Sequence, residues 1–350
     1  MDKNQFKQGV RWGVIGVGDV CEVKSAPAMN LIEGSKLVAV MRRDGEKAAD
    51  YAQRHGVPKW YDDADALIND PEINAIYIAT PPNVHEFYTL KAATAGKAVY
   101  VEKPMARTHQ ECLNMVAACE KAGVPLFVAY YRRCLPVFQK VKELLDNGVI
   151  GDVRFVDIKI HKPLQPEIVQ ASGKPNNWRI EPEVAGGGYF YDLGSHQLDL
   201  MDYFFGAIEK AHGFATNQAG QYLAEDLVLG TFQFVPRNPY GKNSILGQGS
   251  WCFNAPLPTV SEQVSSETEM ITIYGSKGEI AFPCFSNFHI SLKIDGKRKK
   301  ITTFDMPKHV QQPLIQTIVD ALQGKGICPS TGISGARTNW VLEQICPRID

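Results

Sequence analysis

Five short apolar runs, "VRWGVIG", "KLVAVM", "NAIYIAT", "KAVYVEK" and "VPLFVAY", punctuate the chain between residues 10 and 130. Each is rich in Val, Ile and Tyr, which fits strands of a parallel sheet buried on both faces. Amphipathic stretches separate them. "DGEKAADYAQRHG" has Asp44 placed to cap a helix and Gly56 to stop it, and "NVHEFYTLKAATAGK" starts after Pro82 and ends at Gly96. Strand and helix in repetition predict a doubly wound α/β domain, because parallel neighbours need right-handed helical crossovers.

After about residue 131 the pattern changes. "DVRFVDIKIH", "LVLGTFQFV", "SILGQGSWCFN", "EMITIYGSKGEIAFP" and "FHISLKIDGKRKKITTF" are β-rich, partly alternating runs with hairpin-like turns. They predict an open, mainly antiparallel sheet with helices on one face, an α+β arrangement. The fold expected is therefore α/β, with a Rossmann domain over 1–130 and an α+β domain over 131–350; the last helix, 334–346, could pack on either. No internal repeat or low-complexity segment interrupts this plan.

Length agrees with two domains, since 350 residues exceed a typical single core. Charge excludes one class of partner. Lys plus Arg number 37 and Asp plus Glu 38, dispersed along the chain, so no basic footprint for nucleic acid exists. The densest basic run, "DGKRKK" at 295–300, reads as a solvated hairpin turn. The polar start "MDKNQFKQGVRW" lacks the apolar core of a signal peptide, and no apolar run approaches the ~20 residues of a membrane span. Eight scattered cysteines with no CxxC pair fit buried thiols in a reducing compartment. The expectation is a cytoplasmic protein without a metal site.

Chemistry enters at "RWGVIGVGDVCEV", a strand, a glycine turn and a helix start. Gly16 and Gly18 occupy the first two positions of GxGxxG, ahead of Asp19 and Val20, while Cys21 takes the third. The first two glycines allow the tight turn and close approach to a pyrophosphate; the third concerns helix packing, where another small residue can serve. At the end of the second strand, "VAVMRRD" puts Arg42 and Arg43 where an NAD site usually carries an acid. Two guanidiniums favour a 2′-phosphate, hence NADP(H) over NAD(H), and Asp44 is left as a helix cap.

These residues resemble the glucose-fructose oxidoreductase, inositol dehydrogenase and MocA family of nicotinamide-dependent enzymes. The likeness runs through "GVIGVG", "IYIATPPNVH", "VEKP", "LLDNGVIGDVRFV" and "GGGYFYDLGSHQLDLMDY", and is nearest to the dihydrodiol dehydrogenase and sugar or anhydrosugar reductase branch. It implies that Lys103 of "VEKP" lies near the nicotinamide and the reacting oxygen, that Asp192 binds substrate and that His196 is the acid/base. It implies that Thr80, Pro81 and His85 line the cofactor and that Trp178 and Arg179 touch substrate; from the residues themselves His85 reads equally as a helix-cap residue, and Glu102 mainly as a structural partner that holds the loop or Lys103. It further implies a second domain that binds a polyol or sugar-like substrate and pairs copies of the chain, as homodimer or homotetramer, through its sheet. Cys21 and the Arg42–Arg43 pair depart from the NAD-using pattern.

Spacing supports these roles. Asp192 and His196 are four apart, which on a helix puts both on one face. An imidazole with pKa about 6.5 suits the proton that accompanies hydride transfer, and a lysine at a strand's carboxyl end can steady a developing alkoxide. Pro104 restricts the backbone of Lys103, with the isomer of that bond unreadable. The function expected is hydride transfer between nicotinamide and a secondary alcohol or carbonyl of a sugar, cyclitol or cyclic diol. The alternatives are a glycosidase that recycles its NAD within each turnover and a non-catalytic dinucleotide sensor.

Overall fold

All five apolar runs of the first part form strands, joined by a sixth too short to be seen in the pattern. In the computed structural model, which describes residues 3–164, 177–235, 240, 243–256 and 268–347, they are β1 (Val10–Ile15), β2 (Ser35–Met41), β3 (Lys59–Tyr61), β4 (Ala75–Ile78), β5 (Ala98–Val101) and β6 (Leu126–Val128). They pair in parallel in the order β3-β2-β1-β4-β5-β6. That order reverses between β1 and β4, and the crevice at their carboxyl ends is where doubly wound sheets take ligands. Both faces of β4 and β5 are buried, as the unbroken apolar runs require.

The helices end where their sequences say. Asp44 accepts a hydrogen bond from the Lys47 amide to cap the Gly45–His55 helix, and Gly56 stops it in the left-handed region. Thr108 and Glu111 form a reciprocal cap on the His109–Ala122 helix.

The first packing unit comprises Met1–Leu135 and Met306–Ala336, and the second Pro136–Asp305 and Arg337–Asp350. After the strands of the second unit, the chain returns to the first over 306–336. Gln311 explains the return: its amide donates to the Lys24 carbonyl, and its side chain bonds Tyr100 and Glu102. The following Gln312–Gln323 helix buries Leu314, Ile315, Ile318, Val319 and Leu322. The final helix, Gly332–Ile345, is divided between the units at Ala336 and Arg337.

In the second unit eight strands form one sheet: β7 (Val153–Pro163), β8 (Ile208–Thr216), β9 (Leu227–Phe234), β10 (Leu246–Ala255), β11 (Thr268–Gly275), β12 (Gly278–Phe282), β13 (Ile290–Ile294) and β14 (Lys297–Ile301). Their order is β14-β13-β12-β11-β7-β10-β9-β8, antiparallel except for β7 with β10. The basic run at 295–300 is only partly a turn. Asp295 and Gly296 take positive φ, and the lysines and arginine after them form the edge strand β14, where charge discourages pairing with another sheet.

Candidate active site

Within the first unit, the carboxyl ends of β1, β4 and β5 carry the predicted cofactor residues. Gly16 has φ +92°, and a Cβ there would stand 2.8 Å from the Thr80 methyl and 3.0 Å from the Ala79 carbonyl oxygen. Only glycine fits such a turn. A Cβ on Gly18 would meet nothing within 4 Å, so open space lies beside the backbone that precedes the Asp19–Val23 helix. Cys21 is fully buried, and burial pushes its thiol up to about 12, so it serves as a small packing residue. Asp19 is exposed and Val20 half-buried in the first turn.

Arg42 reaches the glycine turn, its guanidinium donating to the Val17 carbonyl over 3.3 Å, while Arg43 is exposed. Asp44 is occupied by Lys47, which holds its carboxyl below the usual range. After β4, the buried Thr80 hydroxyl has no hydrogen-bond partner among the described residues, and Pro81 leads into a short 3₁₀ turn. An open glycine turn, a guanidinium beside it and an unsatisfied hydroxyl fit a dinucleotide phosphate and ribose.

Two of the residues are engaged by the protein itself. His85 is 0% exposed, with ring nitrogens 2.7 Å from the Thr80 carbonyl oxygen and 3.1 Å from that of Met105. It ties the loop after β4 to the loop after β5 rather than presenting a nitrogen to the cofactor. Burial lowers its pKa, against the pull of those carbonyls. Glu102 is 7% exposed and likewise taken up by protein: Oε1 accepts from Tyr77 Oη at 2.5 Å and Gln311 Nε2 at 2.7 Å, and Oε2 from the Lys103 amide at 3.1 Å. Sequence reading missed Gln311, which no local pattern connects to β5. Lys103 follows on the strand's end, half-buried, with a cis bond to Pro104.

Within the second unit, Asn177 caps the turn that carries Trp178 and Arg179, accepting from the Arg179 amide. The guanidinium lies over the Trp178 ring, 4.5 Å from its centroid, and its Nε is 3.3 Å from Asp192 Oδ2. Thus Trp178, Arg179 and Asp192 are brought together. Asp192 and His196 do not share one α-helix. Phe190–Gly194 is a π-helical turn and Ser195–Phe205 the α-helix that continues it. The wide turn accommodates Phe190 and Tyr191, each packed against the glycines: a Cβ on Gly187 would come within 2.2 Å of the Tyr191 ring, and one on Gly194 within 2.7 Å of Phe190.

His196 is 4% exposed, its ring edge-on to Phe285 at 5.9 Å. Neighbouring residues that sequence reading missed hold its helix. Gln197 accepts from Trp251 Nε1 at 2.8 Å and donates to Glu269, whose carboxylate also receives the amides of Cys284 and Phe285. Asp202 takes a two-pronged bond from Arg337 at 2.7 and 2.8 Å. Among the described residues no cluster of His, Cys, Asp or Glu suits a metal ion, and no helix is long and apolar enough to cross a membrane.

A doubly wound sheet with an open glycine turn, followed by a separate sheet unit carrying a carboxylate and a buried imidazole, defines a dinucleotide-dependent oxidoreductase. The chain belongs to the GFO/IDH/MocA family: residues 10–130 match the model of the oxidoreductase family with an NAD-binding Rossmann fold, and 138–281 that of the GFO/IDH/MocA C-terminal domain. It is 38% identical over 341 residues to Oxidoreductase P35 of Formosa agariphila, covering 96% of this chain and 98% of that one. It is 28% identical to trans-1,2-dihydrobenzene-1,2-diol dehydrogenase of Xenopus laevis, covering 87% and 83%. Among solved structures, levoglucosan dehydrogenase in complex with NADH and levoglucosan superposes with a TM-score of 0.81 at 20% identity, covering 97% and 96%. The chain is thus an NAD(P)-dependent oxidoreductase.

Proposed function

We propose that this oxidoreductase uses NADP(H) and acts on a secondary alcohol or carbonyl of a sugar, cyclitol or cyclic diol. The observation that carries the substrate class is Asp192, pinned by Arg179 and one turn ahead of the buried His196. A carboxylate so fixed accepts a substrate hydroxyl in a set orientation, and the imidazole holds or releases the proton at the reacting oxygen. The diol dehydrogenase of Xenopus laevis supports a cyclic diol, and levoglucosan dehydrogenase an anhydrosugar.

When bound, the nicotinamide donates or accepts hydride. Gly16, Gly18 and the Asp19–Val20 helix start hold its phosphates, with the Thr80 hydroxyl and Pro81 alongside. Arg42 and Arg43 receive the 2′-phosphate, with no carboxylate preceding them at the end of β2. Lys103 steadies the negative charge on the substrate oxygen, and Glu102 and His85 fix the two loops around it. Trp178 and Arg179 bound the substrate. The eight scattered cysteines suit buried thiols of a reducing, cytoplasmic setting.

A panel of polyols and sugars, assayed with NADP⁺ and NAD⁺ while product and reduced cofactor are both quantified, tests this reading. One equivalent of NADPH per product, with NADP⁺ preferred about tenfold or more, is expected from two guanidinium contacts. Product without net cofactor reduction would replace the dehydrogenase by a glycosidase that recycles its dinucleotide, and equal use of NAD⁺ would remove the argument from Arg42 and Arg43.

One face of the second sheet exposes Phe214 (74%), Leu246 (53%) and Leu229 (48%), with Phe155 stacked on Tyr274 at the same level. Phe214 opposes Leu229 and Leu246 opposes Phe155 on the same face, with Gln248 and Thr231 between the two pairs. A second copy of the chain covers this face in a dimer or tetramer. Light scattering is expected to give an even multiple of the 38.8 kDa chain, and Phe214→Asp to shift it toward the monomer. A monomeric wild-type chain would exclude this arrangement.

A further inference from the structure

The Gly186–Gly188 stretch before Asp192 has a carboxylate beneath it that the reaction does not use. Glu225 Oε1 accepts a hydrogen bond from the Gly188 amide at 2.7 Å, and the Gly188 carbonyl accepts one from the Asp192 amide at 3.3 Å. One residue therefore links the two carboxylates. Its lack of a side chain is required by the contact, because a Cβ on Gly188 would stand 2.9 Å from the Ala224 Cβ, 2.9 Å from the Glu225 carbonyl oxygen and 3.1 Å from Oε1.

Glu225 is carried on a fixed platform. The fully buried Asp226 accepts the amides of Gln218 and Ala219 at 2.9 and 2.8 Å. Asn217 donates to the carbonyls of Tyr222 and Ala224 and accepts the Gly220 amide at 2.9 Å. Such a rigid loop can impose a position on the residues it touches. Beside the carboxyl is a cavity of about 340 Å³, lined by Glu183, Tyr191, Asn217 and Cys346 among others, which gives it a route to solvent.

We propose that Glu225 is a positioning residue, which through Gly188 fixes the backbone at Asp192 and so the carboxylate that orients substrate. The inference rests on the substrate-binding role of Asp192, but the link itself can be read without turnover. The strength of the link follows the charge on Glu225. Burial pushes its carboxyl up to about 7, against the Gly188 and Glu225 amides that draw it down, and Asp226 adds to the rise. The other ionisable groups around it are Glu183 and Tyr191 from the preceding segments, Tyr222 on its own loop, and Cys346, whose thiol burial and Glu225 both push upward. A carboxylate accepts a stronger hydrogen bond than a carboxylic acid, so the link slackens as pH falls through neutrality.

Hydrogen exchange of the peptide spanning Gly188 and Asp192, corrected for intrinsic rates, reads this directly. At about pH 8 its protection is expected to fall about tenfold in Glu225→Ala, as loss of one charged acceptor implies, and less in Glu225→Gln, which keeps an acceptor oxygen. In the wild-type chain protection should decline between about pH 8 and pH 6, and in Glu225→Gln it should not vary. The active variants should show a raised KM for the polyol with NADPH affinity unchanged. Wild-type protection in Glu225→Ala, or the same pH dependence in Glu225→Gln, would overturn the link. Should the exchange behave as expected while the KM for substrate stays unmoved, the role assigned to Asp192 falls and the link stands.

Discussion

Glu102 and Glu225 are both carboxylates drawn inside the protein, and their surroundings set them different tasks. Around Glu102 stand three donors, from Tyr77, Gln311 and the Lys103 amide, so the side chain is a buried junction at the end of β5. Glu225 has the amides of Gly188 and of its own residue, and burial outweighs them. Its folded pKa of about 7 lies above its ordinary value of 4.5, so the folded chain holds the proton over a pH range where the unfolded chain has released it. Glu225 therefore leaves stability unaffected below about pH 4.5 and subtracts from it as pH rises toward and past neutrality, by up to roughly 3 kcal/mol. Glu225→Gln should match the wild type in urea midpoint at about pH 4.5 and exceed it at about pH 8. A difference independent of pH would show that the carboxyl is not perturbed.

Among the elements, legibility follows burial. β1, β2, β4, β5 and β6 are covered on both faces, so their apolar runs are unbroken and visible. β3, "KWY", is a three-residue sheet edge with no buried residue, and β8, "IEKAHGFAT", is an edge exposed along most of its length; neither carries a periodic apolar signal. The site divides in the same way. Gly16, Gly18, Lys103, Asp192 and His196, the residues proposed for the site, are legible by spacing, because the chemistry proposed for them calls for particular residue types at fixed intervals. The π-helical turn is not, since four-residue spacing suits it as well as an α-helix; its cause lies in the rings of Phe190 and Tyr191 packed on Gly194 and Gly187. Nor is the inward role of His85, whose two carbonyl partners lie five residues before it and twenty after it.

For the molecule as a whole, the order of the chain is an imperfect guide to its packing. Residues 306–336 follow the last strand of the second unit yet complete the first, because Gln311 supplies the amide that Glu102 and Tyr100 share and Thr331 bridges to Phe127. No pattern near residue 311 discloses those partners, since they lie more than two hundred positions upstream. The proposed reaction draws on the lysine after β5 and the histidine of the Ser195–Phe205 helix. The decisive measurement is therefore the steady-state kinetics of Lys103→Ala and His196→Ala with the preferred polyol, set beside their NADPH affinities. Each variant is predicted to lose about 10²- to 10⁴-fold in kcat/KM while binding NADPH as the wild type does. Turnover at the wild-type rate in either would contradict the role given to that residue, and in both would contradict the account of the reaction.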